Sequence, residues 1–165
     1  METVNRYELV ELTVPAATLG RVTFQTIPQL RNQPDQIIQI NAIHIFPITS
    51  YANSQATSVL PGMPAADIPK AVLVLYVNGE ESIKMIPLAQ MIHINDFASP
   101  YQEQLWLFDQ LKNVDFDKSY VQFAVASDAA AYVIPFGINY IRFVKGNANG
   151  FPTASAIAAG NWVMG

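Results

Sequence analysis

Two histidines, thirteen carboxylates and no cysteine are what the chain offers for acid–base, metal or nucleophilic chemistry. The sequence His93-Ile94-Asn95-Asp96 puts an imidazole, an amide and a carboxylate close together, but this is not the ligand spacing of a zinc or related site. On a strand His93 and Asn95 would share a face while Asp96 points away. His44 lies in a strongly apolar stretch and reads as a hydrogen-bonded structural histidine. Asp115 and Asp117, with Asp109 upstream, could supply the hard oxygen ligands of a weak calcium site. A solvated acidic turn between Lys112 and Lys118 is the simpler reading. Glycoside hydrolysis also runs on paired carboxylates, but it depends on their separation across a cleft, which sequence does not give. No Gly-x-Ser-x-Gly is present, and Gly146-Asn147-Ala148-Asn149-Gly150 lacks the Lys-Ser/Thr of a phosphate loop and reads as a flexible turn. No catalytic residue, metal or cofactor is therefore expected, and the chain reads as non-enzymatic.

The totals narrow the partners. Of 165 residues only 13 % are charged, against about 25 % in an average soluble domain, and the net charge is −4. Lys and Arg are scattered singly, whereas nucleic-acid binding needs a basic patch or stripe, so no direct contact with nucleic acid is expected. The N-terminus, Met1-Glu2-Thr3-Val4-Asn5-Arg6, has no basic region followed by an apolar stretch and does not read as a signal peptide. The longest uncharged stretch, Gln36 to Ala66, is interrupted by Gln39, Asn41, Pro47, Asn53, Gln55 and Pro61, unlike a membrane span of about 20 predominantly apolar residues. With so few charges, asparagine and glutamine must solvate much of the surface. Part of the remainder is expected to face partner subunits, because interface cores are depleted in charge and enriched in aromatics.

The elements that would position these residues are strands. The dominant hydrophobic period is two, β-branched and aromatic residues are frequent, and Pro, Gly, Asn and Asp mark the breaks. From Arg6 to Val14, Tyr7 and Leu9 share one parity and Val10, Leu12 and Val14 the other, which suggests a bulge in mid-strand. Arg21 to Thr26 sets Val22 and Phe24 against Thr23 and Gln25, a half-buried strand. Gln36 to Thr49 first alternates, then becomes apolar on both faces. Ala71 to Val77, Asn78-Gly79 and Glu80 to Ile86 read as a hairpin closed by a type I′ turn. Its first arm is apolar throughout and should be central; its second alternates Ile83 and Met85 against Ser82 and Lys84. Leu88 to Ile94 fits a short strand or a helical turn. Strands are expected at Tyr101 to Lys112, Ser119 to Ala126 and Ile138 to Val144.

About eight antiparallel strands without a helical period predict an all-β chain, a single β-sandwich of jelly-roll type spanning residues 1–145. Residues 146–165 form an uncharged C-terminal arm, which either folds back onto its own sandwich or lies on a neighbour. The proline-rich stretch Tyr51 to Pro69 is long for a loop, and long ordered loops are disproportionately contact-making. Within these two segments Tyr51, Pro61, Met63, Pro64, Phe151, Trp162 and Met164 are the expected assembly contacts. Trp106, Trp162, Tyr51 and Tyr101 could instead form a sugar-stacking platform, although aromatics more often serve core or interface.

The run Phe24 to Ile40, together with Ala71 to Val77 and Asn78-Gly79, resembles single jelly-roll virion structural proteins of bacteriophages, of the coat, penton or capsid-decorating type. The resemblance is one of general style along most of the chain. It implies a virion protein made in the host cytoplasm, partnered by copies of itself and by other virion proteins, in which the sandwich is a rigid brick and loops and arms bind neighbours. No basic arm for packaging nucleic acid is present. The alternative expectation is a β-sandwich module that binds a carbohydrate or a receptor.

Overall fold

The computed structural model describes residues 6–34, 36–45, 60–79, 83–91, 106–145 and 162–164, with backbone only at 106–111, 145 and 162–164. Nine strands are seen among them: β1 (Arg6–Val14), β2 (Gly20–Thr23), β3 (Gln36–Ile45), β4 (Ala71–Val77), β5 (Lys84–Pro87), β6 (Trp106–Lys112), β7 (Val114–Phe123), β8 (Tyr132–Lys145) and β9 (Trp162–Met164). One sheet has the order β1-β8-β3-β6, with β9 also on β8; the other has the order β2-β7-β4-β5. Antiparallel partners are first with eighth, second with seventh, third with sixth and fourth with fifth. This is one long hairpin rolled into two layers, the jelly-roll form of the all-β sandwich.

The inner faces meet in one apolar core. β1 contributes Leu12 and Val14, β3 Ile38, Ile40, Ile43 and Ile45, β4 Leu73, Leu75 and Val77, β7 Val121 and Phe123, and β8 Ile134, Phe136 and Ile138. Phe24, just past β2, bridges the layers by packing edge-on against Phe136 (5.5 Å between centroids) and Phe116 (5.6 Å).

Four local expectations are corrected. β1 runs in unbroken register along β8 from Arg6↔Tyr140 to Val14↔Tyr132, so it holds no bulge. The parity change arises because its inward stripe is polar at one end, Arg6 and Glu8, before Val10, Leu12 and Val14 continue it. The bulge falls instead in β3 at Asn41, where the register shifts against both neighbours. It switches the inward set from Ile38 and Ile40 to Ile43 and Ile45.

The hairpin forms with β4 central between β7 and β5, but not with the expected turn. Of Asn78 and Gly79 only the glycine has positive φ, and the last ladder pair is Leu75↔Lys84, which leaves a longer connection. Asn78 is drawn sideways instead: its backbone N–H donates to the Asn113 carbonyl oxygen at 2.8 Å. Met85 of β5 and Ile83 just before it are exposed, and Ile86 points into the core. Leu88–Gln90 is a 3₁₀ turn. β7 ends at Phe123, leaving Val125 exposed beyond it.

β8 is buried on both faces. Ile141 and Phe143 lie on its outer side, opposite to the core residues, yet are nearly inaccessible. On the same outer face Gly137 lies beneath His44 of β3 and Tyr7 of β1, whose rings stack at 5.8 Å. A β-carbon at 137 would run into the His44 imidazole and the Tyr7 hydroxyl. His44 is buried and Tyr7 is 44 % exposed, so only the tyrosine has room to swing aside. Gly137→Ala is therefore expected to destabilise the fold by about 1–3 kcal/mol, the usual cost of overpacking. Denaturant unfolding should show the loss, and adding His44→Ala should recover part of it.

Candidate functional site

The two ends of the sandwich are where polar side chains gather, because there the chain passes between sheets and leaves ladder hydrogen bonds unmade. At one end a single residue, Asn113, separates β6 from β7 and so turns the chain from one sheet into the other. Its side-chain oxygen accepts two hydrogen bonds, from Asn32 Nδ2 at 2.7 Å and from Asn78 Nδ2 at 2.6 Å. Asn32 lies in the β2–β3 crossing, and its own Oδ1 accepts from the Ile38 amide at 3.0 Å. Three connections are tied through one buried amide.

Next to this knot lies an open cleft of about 310 Å³ lined by Ile27, Leu30, Arg31, Asn32, Asn78 and the segment Val114 to Asp117. The Asp115-Phe116-Asp117 motif is therefore at a cleft, but its carboxylates are already engaged. Asp115 accepts from the Asp117 amide at 3.1 Å and sits 3.8 Å from Lys118 Nζ. Asp117 lies 3.6 Å from Arg31 Nε. Ser119 Oγ donates to the Asp115 carbonyl oxygen at 2.7 Å and accepts from the Tyr76 amide at 3.1 Å, closing the irregularity where β7 slips against β4. The motif is an acidic turn with cationic neighbours, and Asp109 lies back on β6 in the other sheet. Among the described residues no three acidic or histidine groups form a metal cluster.

At the opposite end Asp67 is buried in the 3₁₀ segment Ala65–Lys70 that leads into β4. Its carboxylate accepts from Lys70 Nζ at 2.7 Å and from the Asp128 amide at 2.7 Å. Burial alone would raise its pKa, but the Lys70 ammonium, the Asp128 amide and the facing Tyr132 hydroxyl outweigh it and hold the carboxyl below its ordinary value. Burial, and then the negative charge of Asp67, push the Tyr132 phenol far up. Asp128 also accepts from the Ala17 amide at 2.7 Å, and Ser127 exchanges hydrogen bonds with Thr18, tying the β1–β2 and β7–β8 connections together. This is a structural lock.

The expected contact residues divide. Met63 is enclosed in the core. Pro61 is exposed, with its carbonyl oxygen accepting from the Val133 amide at 2.9 Å, and Pro64 is half-buried, its carbonyl oxygen accepting from Asp67. Gly62 bridges to Val133, so this part of the long loop extends the sheet along β8. The end of the arm folds back onto its own sandwich: Trp162 and Met164 belong to β9, which pairs with Phe143 to Lys145 of β8. Tyr51, Phe151, Tyr101, His93, Asn95, Asp96 and the segment Gly146 to Gly150 lie outside the described residues, and Trp106 is placed on β6 by its backbone alone. Sequence reading missed the asparagine knot and the Asp67 lock. The only trace of either is the isolated Asn113 between two strand-like runs.

No protein-family model, curated protein or solved structure matches the chain.

Two expected outcomes follow from the end-of-sandwich locks. Asn113→Ala strands two amide donors that can partly rehydrate, so a loss of about 1–2 kcal/mol is expected in denaturant unfolding. A carboxyl with a depressed pKa contributes stability that is present above its unfolded value, near 3.9, and disappears as pH falls through the folded value. Asp67→Asn should lower stability at pH 7 by about 2–3 kcal/mol, as for hydrogen bonds to a charged group. It should also flatten the decline of wild-type stability below about pH 4, which melting curves between pH 2 and 7 will register.

Proposed function

We propose that the chain is a non-enzymatic virion structural protein, a capsid, penton or decoration subunit that self-associates or docks on a larger shell. The observation that carries the reading is the outer face of the four-stranded sheet at its β5 edge. Met85 pairs with Val74 across the β4–β5 ladder; Tyr76 is the next residue of Val74's parity on β4, and Ile83 directly precedes β5. Met85 is 60 % exposed, Ile83 39 % and Tyr76 38 %. An apolar strip beside an edge strand is a natural template for association. The low charge of 13 % points the same way, since surfaces that face partners carry few charges.

A jelly roll is also well suited to the task, because its strands form a rigid double layer and its loops stand free at the two ends. Fold does not by itself specify function, and coats and lectins share this one. The apolar edge favours the coat-like reading. A closed shell repeats the same small patch on every copy, so modest apolar strips suffice.

Light scattering after size exclusion, over a wide range of protein concentration, should give the mass of a defined oligomer or particle. Ile83→Lys with Met85→Lys, both at exposed positions, should leave melting nearly unchanged and move the mass to that of one chain. A single-chain mass for the unaltered protein at every concentration, with or without an added shell surface, would count against the reading.

A further inference from the structure

The inward face of a sandwich is expected to be apolar along its whole length, yet at one end of this molecule it is not. The stripe of β1 that carries Val10, Leu12 and Val14 begins with Arg6 and Glu8, and that of β8 passes from Ile138 through Tyr140 to Arg142. Arg6 stands opposite Tyr140 in the β1–β8 ladder, and Arg142 stands opposite Ile38 in the β8–β3 ladder. The β2–β3 crossing brings Gln29 and Gln33 over this end, and Gln36 opens β3 beside them. Between these groups is an open cleft of about 590 Å³, within the range of about 300–1,000 Å³ usual for small-molecule sites.

We propose that this cleft is a binding site for an acidic sugar, a ring that carries both a carboxylate and several hydroxyls, such as a sialic or uronic acid residue. Arg142 gives the charge preference. Its Nε is buried without a hydrogen-bond partner, a state that is costly unless an acceptor arrives. A guanidinium offers a planar fork that fits a carboxylate through two parallel hydrogen bonds. Among the described residues the cleft is lined by two cations, Arg6 and Arg142, and one carboxylate, Glu8, in a chain whose net charge is −4. The glutamine amides supply donors and acceptors suited to sugar hydroxyls. Burial, with the charge of Glu8 added, pushes the Tyr140 phenol up, so that it stays a neutral donor. The inference does not rest on the assembly reading, and its measurement is separate from mass.

The test is a titration of the full-length protein, followed by two-dimensional amide NMR. The ligands are N-acetylneuraminic acid and glucuronic acid, with N-acetylglucosamine as the neutral sugar and inorganic phosphate as the anion without a ring. Both acidic sugars should give saturable shifts centred on Gln36, Tyr140 and Arg142, and the neutral sugar none. Arg142→Gln should weaken binding by about tenfold or more, as for loss of one member of a desolvated charge pair. Arg142→Lys, which keeps the charge but loses the fork, should fall between. Arg31→Gln, in the other cleft, should bind as the unaltered protein does. If Arg142→Gln does not fold, Arg142→Lys and Gln36→Ala carry the comparison, both with weakened binding. Absence of saturable shifts with either acidic sugar, or unchanged binding in the Arg142 variants, would overturn the assignment. So would phosphate binding as tightly as the acidic sugars, which would make the cleft a general anion site.

Discussion

A rolled hairpin depends on its crossings. Each time the chain leaves one sheet for the other it gives up ladder hydrogen bonds, and the groups released at a sandwich end must find partners or water. Here the tightest corner is one residue long, Asn113, and it converts that weakness into a fastening. One side-chain oxygen holds the β2–β3 crossing through Asn32 and the β4–β5 connection through Asn78. At the far end the Asp67 carboxylate does the equivalent work for the connections into β4 and β8. The apolar core would hold the layers together without either lock. The locks fix which loops are drawn together at each end, and so fix the shape of both end surfaces.

The same constraint explains where open polar space remains. β8 is the longest strand, fourteen residues, and neither of its neighbours covers it fully. Among the described residues β1 begins opposite Tyr140, and β9 pairs with Phe143 to Lys145 beyond it. Likewise, among the described residues β3 pairs with β8 as far as Phe136, and Gly62 bridges to Val133 beyond it. These additions satisfy the backbone of β8 at its edges. They do nothing for its inner face at the Arg142 end, where a cleft replaces close packing.

Much of the fold was legible in the sequence because period-two patterning directly reflects burial in a sandwich. β2, β3, β4 and β7 were marked by alternating or continuous apolar runs, and the central position of β4 followed from its having no polar face. Two misreadings share a physical cause. Leu9 and Val10 looked like a bulge because inward was equated with apolar, whereas Arg6 and Glu8 point inward too. Asn78-Gly79 looked like a two-residue turn because local propensity favours one, but a hydrogen bond to Asn113, thirty-five residues away in sequence, outweighed it. Long-range polar contacts leave no period behind them. For the same reason the Asp67 lock was invisible, since beyond the nearby Lys70 its partners Asp128 and Tyr132 lie some sixty residues away in sequence. Residue type alone marked no site: His44 is packed and the Asp115–Asp117 pair is an acidic turn with cationic neighbours, as their sequence context indicated.

Low charge then has two consequences that pull in the same direction. With few ionic groups, an apolar strip such as Tyr76, Ile83 and Met85 has few charged neighbours, Asp115 opposite Tyr76 among them, so association through it would bury few ions at a desolvation cost. With few ionic groups, too, the two guanidiniums that meet at one cleft stand out against an otherwise mildly negative surface. A field focused in a concave site acts most strongly on a small anion and falls away within about 10 Å at moderate salt. The strip on the outer sheet face and the cleft at the sandwich end therefore act independently. On the two proposals, one molecule would be held in an array by its sheet edge while the cleft at the Asn113 end meets its ligand.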